Sequence, residues 1–285
     1  MAINLDGKKL ALEIREQLSQ EVQSYSEKNA RLPGLAVVLV GADPASQVYV
    51  RNKTKACEKA GIVHRQLDLP ESIDQAELIK IIHDLNGDET IDGILVQLPL
   101  PKGLDEQEVI KTISPEKDVD GFHPENIGHL VLGQKSFIPC TPYGIIRMIE
   151  TLNIDTSGKE MVIVGRSNIV GKPMALLGLQ RGIDATVTVC HSKTKNLTEI
   201  IKRADIVVAA IGRAKFITAD MVKPGSIVID VGINRLDNGK LCGDVDFDAV
   251  EPICSAITPV PGGVGPMTIA MLLSNTLESR KRKDD

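Results

Sequence analysis

Two uninterrupted apolar runs, Leu35-Ala36-Val37-Val38-Leu39-Val40 and Met161-Val162-Ile163-Val164, constrain this chain more than any other feature. A run without polar alternation marks a strand buried on both faces, which is how parallel strands covered by helices read. Each run leads into helix-start chemistry. After Val40 comes Gly41-Ala42-Asp43-Pro44, an N-cap Asp ahead of Pro at the first helical position, and Gly61 closes that helix. After Val164 a turn bearing Gly165 leads into a helix at about 171–180. Further strands are expected at 63–69, 93–97, 186–189, 206–209 and 226–231, with a helix at about 74–85 between the first two. Leu10, Ile14, Leu18 and Val22 form the stripe of an amphipathic helix, and a last helix covers about 268–282. Asp237-Asn238-Gly239 reads as a hairpin turn. The alternation of strand and helix, twice over, predicts two α/β halves with parallel sheets. Between them, the Gly-, Pro-, His- and Asp-rich stretch from Pro115 to Pro142 reads as a linker or cleft-lining segment.

Composition narrows the class. At 285 residues the chain has room for about two domains. Aromatics are only 2%, too few for a platform that stacks nucleic-acid bases, and a formal charge of −5 gives no general attraction to phosphate backbones or anionic lipid. The five cysteines are scattered, with no Cys-x-x-Cys pair. That argues for free thiols in a reducing compartment, and against a disulfide framework or a metal site. No run approaches the roughly 18 apolar residues of a membrane span, and the N-terminus lacks the apolar segment of a secretory signal. The expectation is a cytoplasmic protein with neither nucleic-acid nor membrane partners.

Gly165-Arg166-Ser167-Asn168-Ile169-Val170-Gly171-Lys172-Pro173 joins a buried strand to a helix, the place where an open α/β sheet binds a dinucleotide. It departs from G-x-G-x-x-G, since Ser167 replaces the second Gly and the last Gly comes one residue late. A tight turn packed for structural reasons accounts for the same residues. The next strand ends in Cys190-His191-Ser192-Lys193-Thr194, without the carboxylate that binds the ribose hydroxyls of NAD. A 2′-phosphate meets no like charge there, and Arg166 and Ser192 are candidate donors to it. NADP is therefore the expected cofactor. His191 and Lys193 fit a hydrogen-bonded surface histidine and a solvated charge better than a specific contact.

Tyr49 and Lys53, at i and i+4, share one helix face with Ser46 a turn earlier. Spacing alone also fits a snorkelled surface pair. Gln97, at the end of a strand in the same unit, changes the balance. A lysine acting as a base must be partly neutral, and an amide orients it without adding the negative charge that would hold its proton. Lys117-Asp118-Val119-Asp120-Gly121 offers a carboxylate able to accept two N–H donors from a flat heterocycle; turn chemistry explains it equally well. Pro261-Gly262-Gly263-Val264-Gly265-Pro266-Met267-Thr268 is a stiff loop where backbone approaches either a ligand or another segment closely.

Taken in order, Tyr49-x-x-x-Lys53, Val96-Gln97-Leu98-Pro99-Leu100-Pro101, Lys117 to His123, Gly165 to Pro173 and Pro259 to Thr268 closely resemble the FolD family of methylenetetrahydrofolate dehydrogenases and methenyltetrahydrofolate cyclohydrolases. The resemblance covers essentially the whole chain. It implies an N-terminal three-layer α/β domain, residues 1–120 with about 266–285, which binds folate and carries catalysis. A Rossmann-like NADP-binding domain would span 121–265, with the last helix packing back on the first domain and a folate cleft between the two. It also implies a homodimer and a place in one-carbon metabolism, supplying purine biosynthesis. By resemblance Lys53 is the catalytic lysine, Gln97 its orienting partner, Tyr49 the residue stacked on the folate rings and Asp120 the pterin anchor. Val96, Leu98, Pro261, Gly262, Gly263, Val264 and Gly265 match substrate-lining positions. Gly165, Arg166, Ser167, Ser192 and Ile233 match cofactor positions.

The implied chemistry is oxidation of 5,10-methylenetetrahydrofolate, then hydrolysis of the methenyl product to 10-formyltetrahydrofolate. Two other readings share parts of the pattern: a different two-domain oxidoreductase, such as a shikimate or amino-acid dehydrogenase, and a non-catalytic folate or nucleotide-binding regulator. The Gln97-Leu98-Pro99 and Pro261-to-Thr268 segments speak against the first. The joint presence of Lys53, Gln97 and Asp120 speaks against the second.

Overall fold

The computed structural model of the protein describes residues 2–28 and 30–283. In chain order the first elements are β1 (Ile3–Asn4), α1 (Gly7–Glu27), β2 (Gly34–Val40), α2 (Pro44–Ala60), β3 (Val63–Leu69), α3 (Gln75–Gly87), β4 (Gly93–Val96), α4 (Glu106–Thr112) and α5 (Pro124–Val131). Then follow α6 (Cys140–Glu150), β5 (Glu160–Val164), α7 (Gly171–Gly178), β6 (Thr186–Cys190), α8 (Leu197–Ile201), β7 (Ile206–Ala209) and β8 (Ile227–Asp230). The chain closes with β9 (Asn234–Arg235), β10 (Leu241–Cys242), α9 (Phe247–Val250), β11 (Ala256–Ile257) and α10 (Val264–Arg282).

The residues group into two compact units. One holds Leu12–His129, Gln134–Cys140 and the chain from Ile269 onward; the other holds the chain up to Ala11, Leu130–Gly133 and Thr141–Thr268. The first unit is built on a parallel sheet in the order β3-β2-β4. Ala36, Val38 and Val40 of β2 pack with Ile94 and Val96 of β4 against Leu78, Ile82 and Leu85 of α3 and Val109 of α4. On the remaining side α2 lies against β2 and β3, and Ser19 Oγ of α1 donates to the Lys59 carbonyl of α2. Helix α2 starts and stops as its sequence signals: Asp43 accepts from the Ser46 N–H at 2.7 Å, Pro44 opens the helix, and Gly61 takes a left-handed φ of 76°. The C-terminal part of α10 belongs to this unit, where Ser279 Oγ donates to the carbonyls of Asp92 and Glu116. Asp92, fully buried, accepts two bonds of 2.7 Å from Arg31, one from Lys283 and one from the Gly34 N–H.

The second unit carries a parallel sheet ordered β1-β11-β8-β7-β5-β6. Strand order runs outward from β5 to β6 on one side and to β7 and β8 on the other, so the switch point lies between β5 and β7. Val162, Val164, Val207, Ala209 and Val228 form one face of its core with Ile201 of α8 and Val250 of α9. Asp237-Asn238-Gly239 does make the turn of the β9–β10 hairpin, closed by the Leu236 N–H donating to the Lys240 carbonyl.

Two expectations need correction, and one helix lies outside what the sequence predicts. The stretch 115–142 is not a plain linker: Pro124–Val131 is helical, with Pro at its first position and Ile127 and Leu130 on its inner side, a pattern hidden by the surrounding Gly and His. Helix α4, capped by Asp105 through the Gln107 and Glu108 N–H groups, is too short for its single buried Val109 to show a period. The last helix begins at Val264, four residues ahead of the expected start. By packing, residues up to Ala11 group with the second unit, because β1 pairs with β11 and the Leu5 N–H donates to the Ile257 carbonyl. Among the described residues no helix is long and apolar enough to cross a membrane.

Candidate functional site

The expected site residues fall into two clusters, one in each unit. In the first, β2 and β4 end side by side, with the Gln97 N–H donating to the Val38 carbonyl, and α2 follows β2. Lys53 on α2 is buried, only 8% exposed, and its Nζ donates to Gln97 Oε1 at 2.8 Å. The other end of that amide is committed as well, since Nε2 donates to the Leu98 carbonyl at 2.7 Å. The oxygen of Gln97 is thereby turned toward the amine. Burial pushes the Lys53 pKa below 10.5, while Asp120 pulls in the opposite direction. Asp120 is half-buried, and burial raises its carboxyl above the ordinary range against the pull of Lys53 and a bond from Cys140. A lysine that gives up its proton more readily than usual thus sits beside a carboxyl that takes one up more readily.

Tyr49, one turn ahead of Lys53 on α2, is 38% exposed, with its hydroxyl pKa raised by burial. An aromatic ring accessible beside a buried amine suits a flat ligand laid over it. Val96 is buried and Leu98 half-buried. Asp118 serves structure: its Oδ2 accepts from the His123 N–H and from Asn126 Nδ2, and burial pushes its carboxyl up to about 7. Turn chemistry therefore explains Asp118 and leaves Asp120 available.

Cys140 was not among the expected residues. Its thiol donates to the Val119 carbonyl at 3.3 Å and lies with Asp120 and Lys53 in one electrostatic group. Asn275 of α10 donates to the Val119 and Ile138 carbonyls on either side. No local pattern in the sequence joins position 140 to position 120.

The second cluster lies at the carboxyl ends of β5, β6, β7 and β8. Gly165, at φ +136°, could carry no side chain, since a Cβ would lie 2.1 Å from the Ala210 carbonyl oxygen. The turn after β5 and the chain leaving β7 thus touch at the switch point. Ser167 Oγ accepts from the Val170 N–H at 3.1 Å in the turn ahead of α7, so part of its role is structural. Arg166 and Ser192 are exposed, and Arg166 forms no ion pair among the described residues. His191 Nδ1 accepts from the Lys193 N–H within a local turn, in line with its bland reading. Ile233 is 47% exposed, and its Cδ1 stands 3.6 Å from where a Cβ on Gly265 would be. Two segments far apart in sequence meet there. Of the glycine-rich loop, Gly263 answers to the chain itself: the Lys8 N–H donates to the Gly262 carbonyl, and a Cβ on Gly7 would strike the Gly263 oxygen. Pro261 is exposed, Gly262 and Gly265 are partly so, and Val264 is buried.

A glycine turn at the switch point of a parallel sheet, an exposed arginine and no carboxylate at the end of β6 fit a phosphorylated dinucleotide. With a separate unit bearing a desolvated lysine, they define a two-domain α/β oxidoreductase of the nucleotide-dependent class. The profile described as "Tetrahydrofolate dehydrogenase/cyclohydrolase, catalytic domain" matches residues 5–120, and the one described as "Tetrahydrofolate dehydrogenase/cyclohydrolase, NAD(P)-binding domain" matches residues 139–284. The chain belongs to the tetrahydrofolate dehydrogenase/cyclohydrolase family.

Among its relatives, the "Bifunctional protein FolD" of Chlorobium chlorochromatii is 57% identical over 290 residues, covering 98% of each chain. The crystal structure of the bifunctional FolD methylenetetrahydrofolate dehydrogenase/cyclohydrolase from Campylobacter jejuni superposes with a TM-score of 0.97 at 50% identity, over 99% of this chain and 100% of that one. The Trypanosoma brucei FolD structure, complexed with NADP cofactor and inhibitor, gives a TM-score of 0.95 at 37% identity over 99% and 98% of the two chains.

Proposed function

We propose that this protein oxidises 5,10-methylenetetrahydrofolate with NADP and hydrolyses the resulting methenyl compound to 10-formyltetrahydrofolate, with Lys53 as the group that handles protons. The bond from Lys53 Nζ to Gln97 Oε1 carries this reading, since it pairs a buried amine with a neutral acceptor. NADP supplies the hydride acceptor, and expulsion of hydride from the methylene carbon is driven by the neighbouring folate nitrogen. That step needs alignment more than a base. Hydrolysis is different. Water attacking the methenyl carbon must lose a proton and a ring nitrogen must gain one, and an amine with a lowered pKa can do both in turn.

In this reading the first unit binds folate, with Tyr49 against the ring system, Asp120 accepting N–H donors of the pterin, and Val96 and Leu98 lining the substrate. The second unit binds NADP through Gly165, Arg166, Ser167, Ser192 and Ile233, while the loop from Pro261 to Gly265 completes the substrate lining. Gln97 orients Lys53. The protein works in the cytoplasm as a homodimer and supplies formyl groups for purine biosynthesis; its five unpaired cysteines suit a reducing compartment. The reading is tested by incubating the protein with methylenetetrahydrofolate and NADP, watching methenyl absorbance appear and then decay, and by light scattering for the dimer. Absence of NADP reduction would remove the assignment. NADP reduction without decay of the methenyl product beyond its spontaneous rate would remove the hydrolytic half.

A further inference from the structure

Two buried carboxylates in the second unit are used by none of the chemistry above. Asp244 is completely buried, and its two oxygens receive four donors: the N–H groups of Ile211 and Gly212 on Oδ2, and the Arg213 N–H and Asn234 Nδ2 on Oδ1, at 2.6 to 2.9 Å. Asp230, at the end of β8, receives the N–H groups of Gly232, Asp244 and Val245. Neither forms a salt bridge among the described residues. A buried carboxylate without a cation is costly unless its lone pairs are filled, and here backbone fills them.

The donors to Asp244 come from two different segments, the loop after β7 and the start of β9. Residues 211–213 follow β7, and Asn234 follows β8, adjacent strands of the sheet. Three successive N–H groups converging on one oxygen pair make an anion nest, and this nest is filled by the protein's own carboxylate. The same loop is the one whose Ala210 carbonyl abuts Gly165. The loop after β8 carries Ile233, and a Cβ on Gly232 would overlap Asp244 Oδ1. One side chain therefore ties together the two backbone segments that stand beside the glycine turn.

We infer that Asp244 is a positioning residue for the dinucleotide: it holds the loops after β7 and β8 in the conformation that receives the cofactor, without touching the cofactor itself. The inference rests on the assignment of NADP to this unit. Asparagine at 244 keeps the shape but offers one acceptor oxygen for four donors and sets an NH2 against N–H groups. Both loops then lose part of their hold.

The test measures the full-length Asp244→Asn protein beside the unaltered one, by titration with NADP and by both activities. The expected result is an NADP dissociation constant and KM raised about tenfold or more, with hydrolysis of methenyltetrahydrofolate within about twofold of the unaltered protein. Unchanged NADP affinity in folded Asp244→Asn, or equal losses in NADP binding and hydrolysis, would overturn it. If that variant does not fold, Asn234→Ala removes one donor at a half-buried position and should raise the NADP KM about threefold; no change there overturns the inference too. NADP binding by the unaltered protein separates a failure of this inference from a failure of the cofactor assignment.

Discussion

The Gln97 side chain holds Lys53 at 2.8 Å with its oxygen and the Leu98 carbonyl with its nitrogen, so the lysine is oriented by a partner that carries no charge. A carboxylate in the same place would stabilise the ammonium form and remove the base. Burial, the main cause of the lowered Lys53 pKa, can act because only Asp120 and the two thiols oppose it.

Replacing Lys53 with Ala should reduce hydrolysis of methenyltetrahydrofolate by about 10²–10⁴-fold, the usual contribution of a positioned acid–base group. Circular dichroism and NADP binding should be unaltered. Hydrolysis at the original rate in a folded Lys53→Ala protein would remove the residue from the mechanism.

The rate of hydrolysis should rise with pH along a limb lying below the ordinary lysine value of 10.5, because the neutral amine is the active form and burial favours it. In Gln97→Glu the added carboxylate stabilises the protonated amine, and the limb should move to higher pH by about one to three units. A limb that stays in place would show that another group titrates.

Arg166→Ala should weaken NADP far more than NAD, since the guanidinium is exposed and free to meet a 2′-phosphate that NAD lacks. Dissociation constants for both cofactors decide the matter; equal losses would refute the phosphate contact.

Asp118 makes stability depend on pH in a stated direction. Its folded pKa of about 7 lies above the unfolded value of 3.8, so the folded state holds the proton more tightly. The stabilisation is complete at low pH and is lost as pH rises through about 7. Asp118→Asn should abolish this component, so between pH 5 and 8 its Tm should fall less with rising pH, or rise more, than that of the unaltered protein. Parallel Tm profiles for the two proteins across that range would contradict the assignment. The difference between them isolates Asp118 from His64, whose burial acts with the opposite sign below pH 6.5.

Asp92 fastens the end of α10. Burial alone would raise its pKa, but the bonds from Arg31, Lys283 and the Gly34 N–H outweigh burial and lower it. Asp92→Ala strands the Gly34 N–H, whereas Arg31 and Lys283, each about a third exposed, recover part of their hydration. The loss should be about 2–3 kcal/mol, at or below the low end for a broken buried pair. Urea unfolding measures it, and a midpoint within error of the unaltered protein would show that α10 is held by its apolar face.

Much of the framework is legible along the chain because its causes are local. Six consecutive apolar residues make β2 a doubly buried strand wherever it is placed. Asp43, Pro44 and Gly61 bound α2 through bonds that reach no further than four residues. Lys53 shares a face with Tyr49 by helical geometry, and the family motifs around Gln97 and Asp120 mark the rest of the first cluster. Helices α4 and α5 were hidden because each buries too few residues to display a period.

Other relationships exist only once distant segments are brought together. Nothing near Ile3 announces that it will lengthen a sheet through a strand at Ala256. Nothing in Gly243-Asp244-Val245 says that its carboxylate will collect N–H groups from residues 211–213. The placement of Cys140 and Asn275 around Val119 is of the same kind. Chain-local chemistry determines which stretches become strand, cap or turn, since a hydrogen bond within one turn needs no partner from elsewhere. The protonation of Lys53 and Asp120 and the hold of Asp244 on two backbone segments depend on desolvation and on donors supplied across the fold, and those are properties of packing alone.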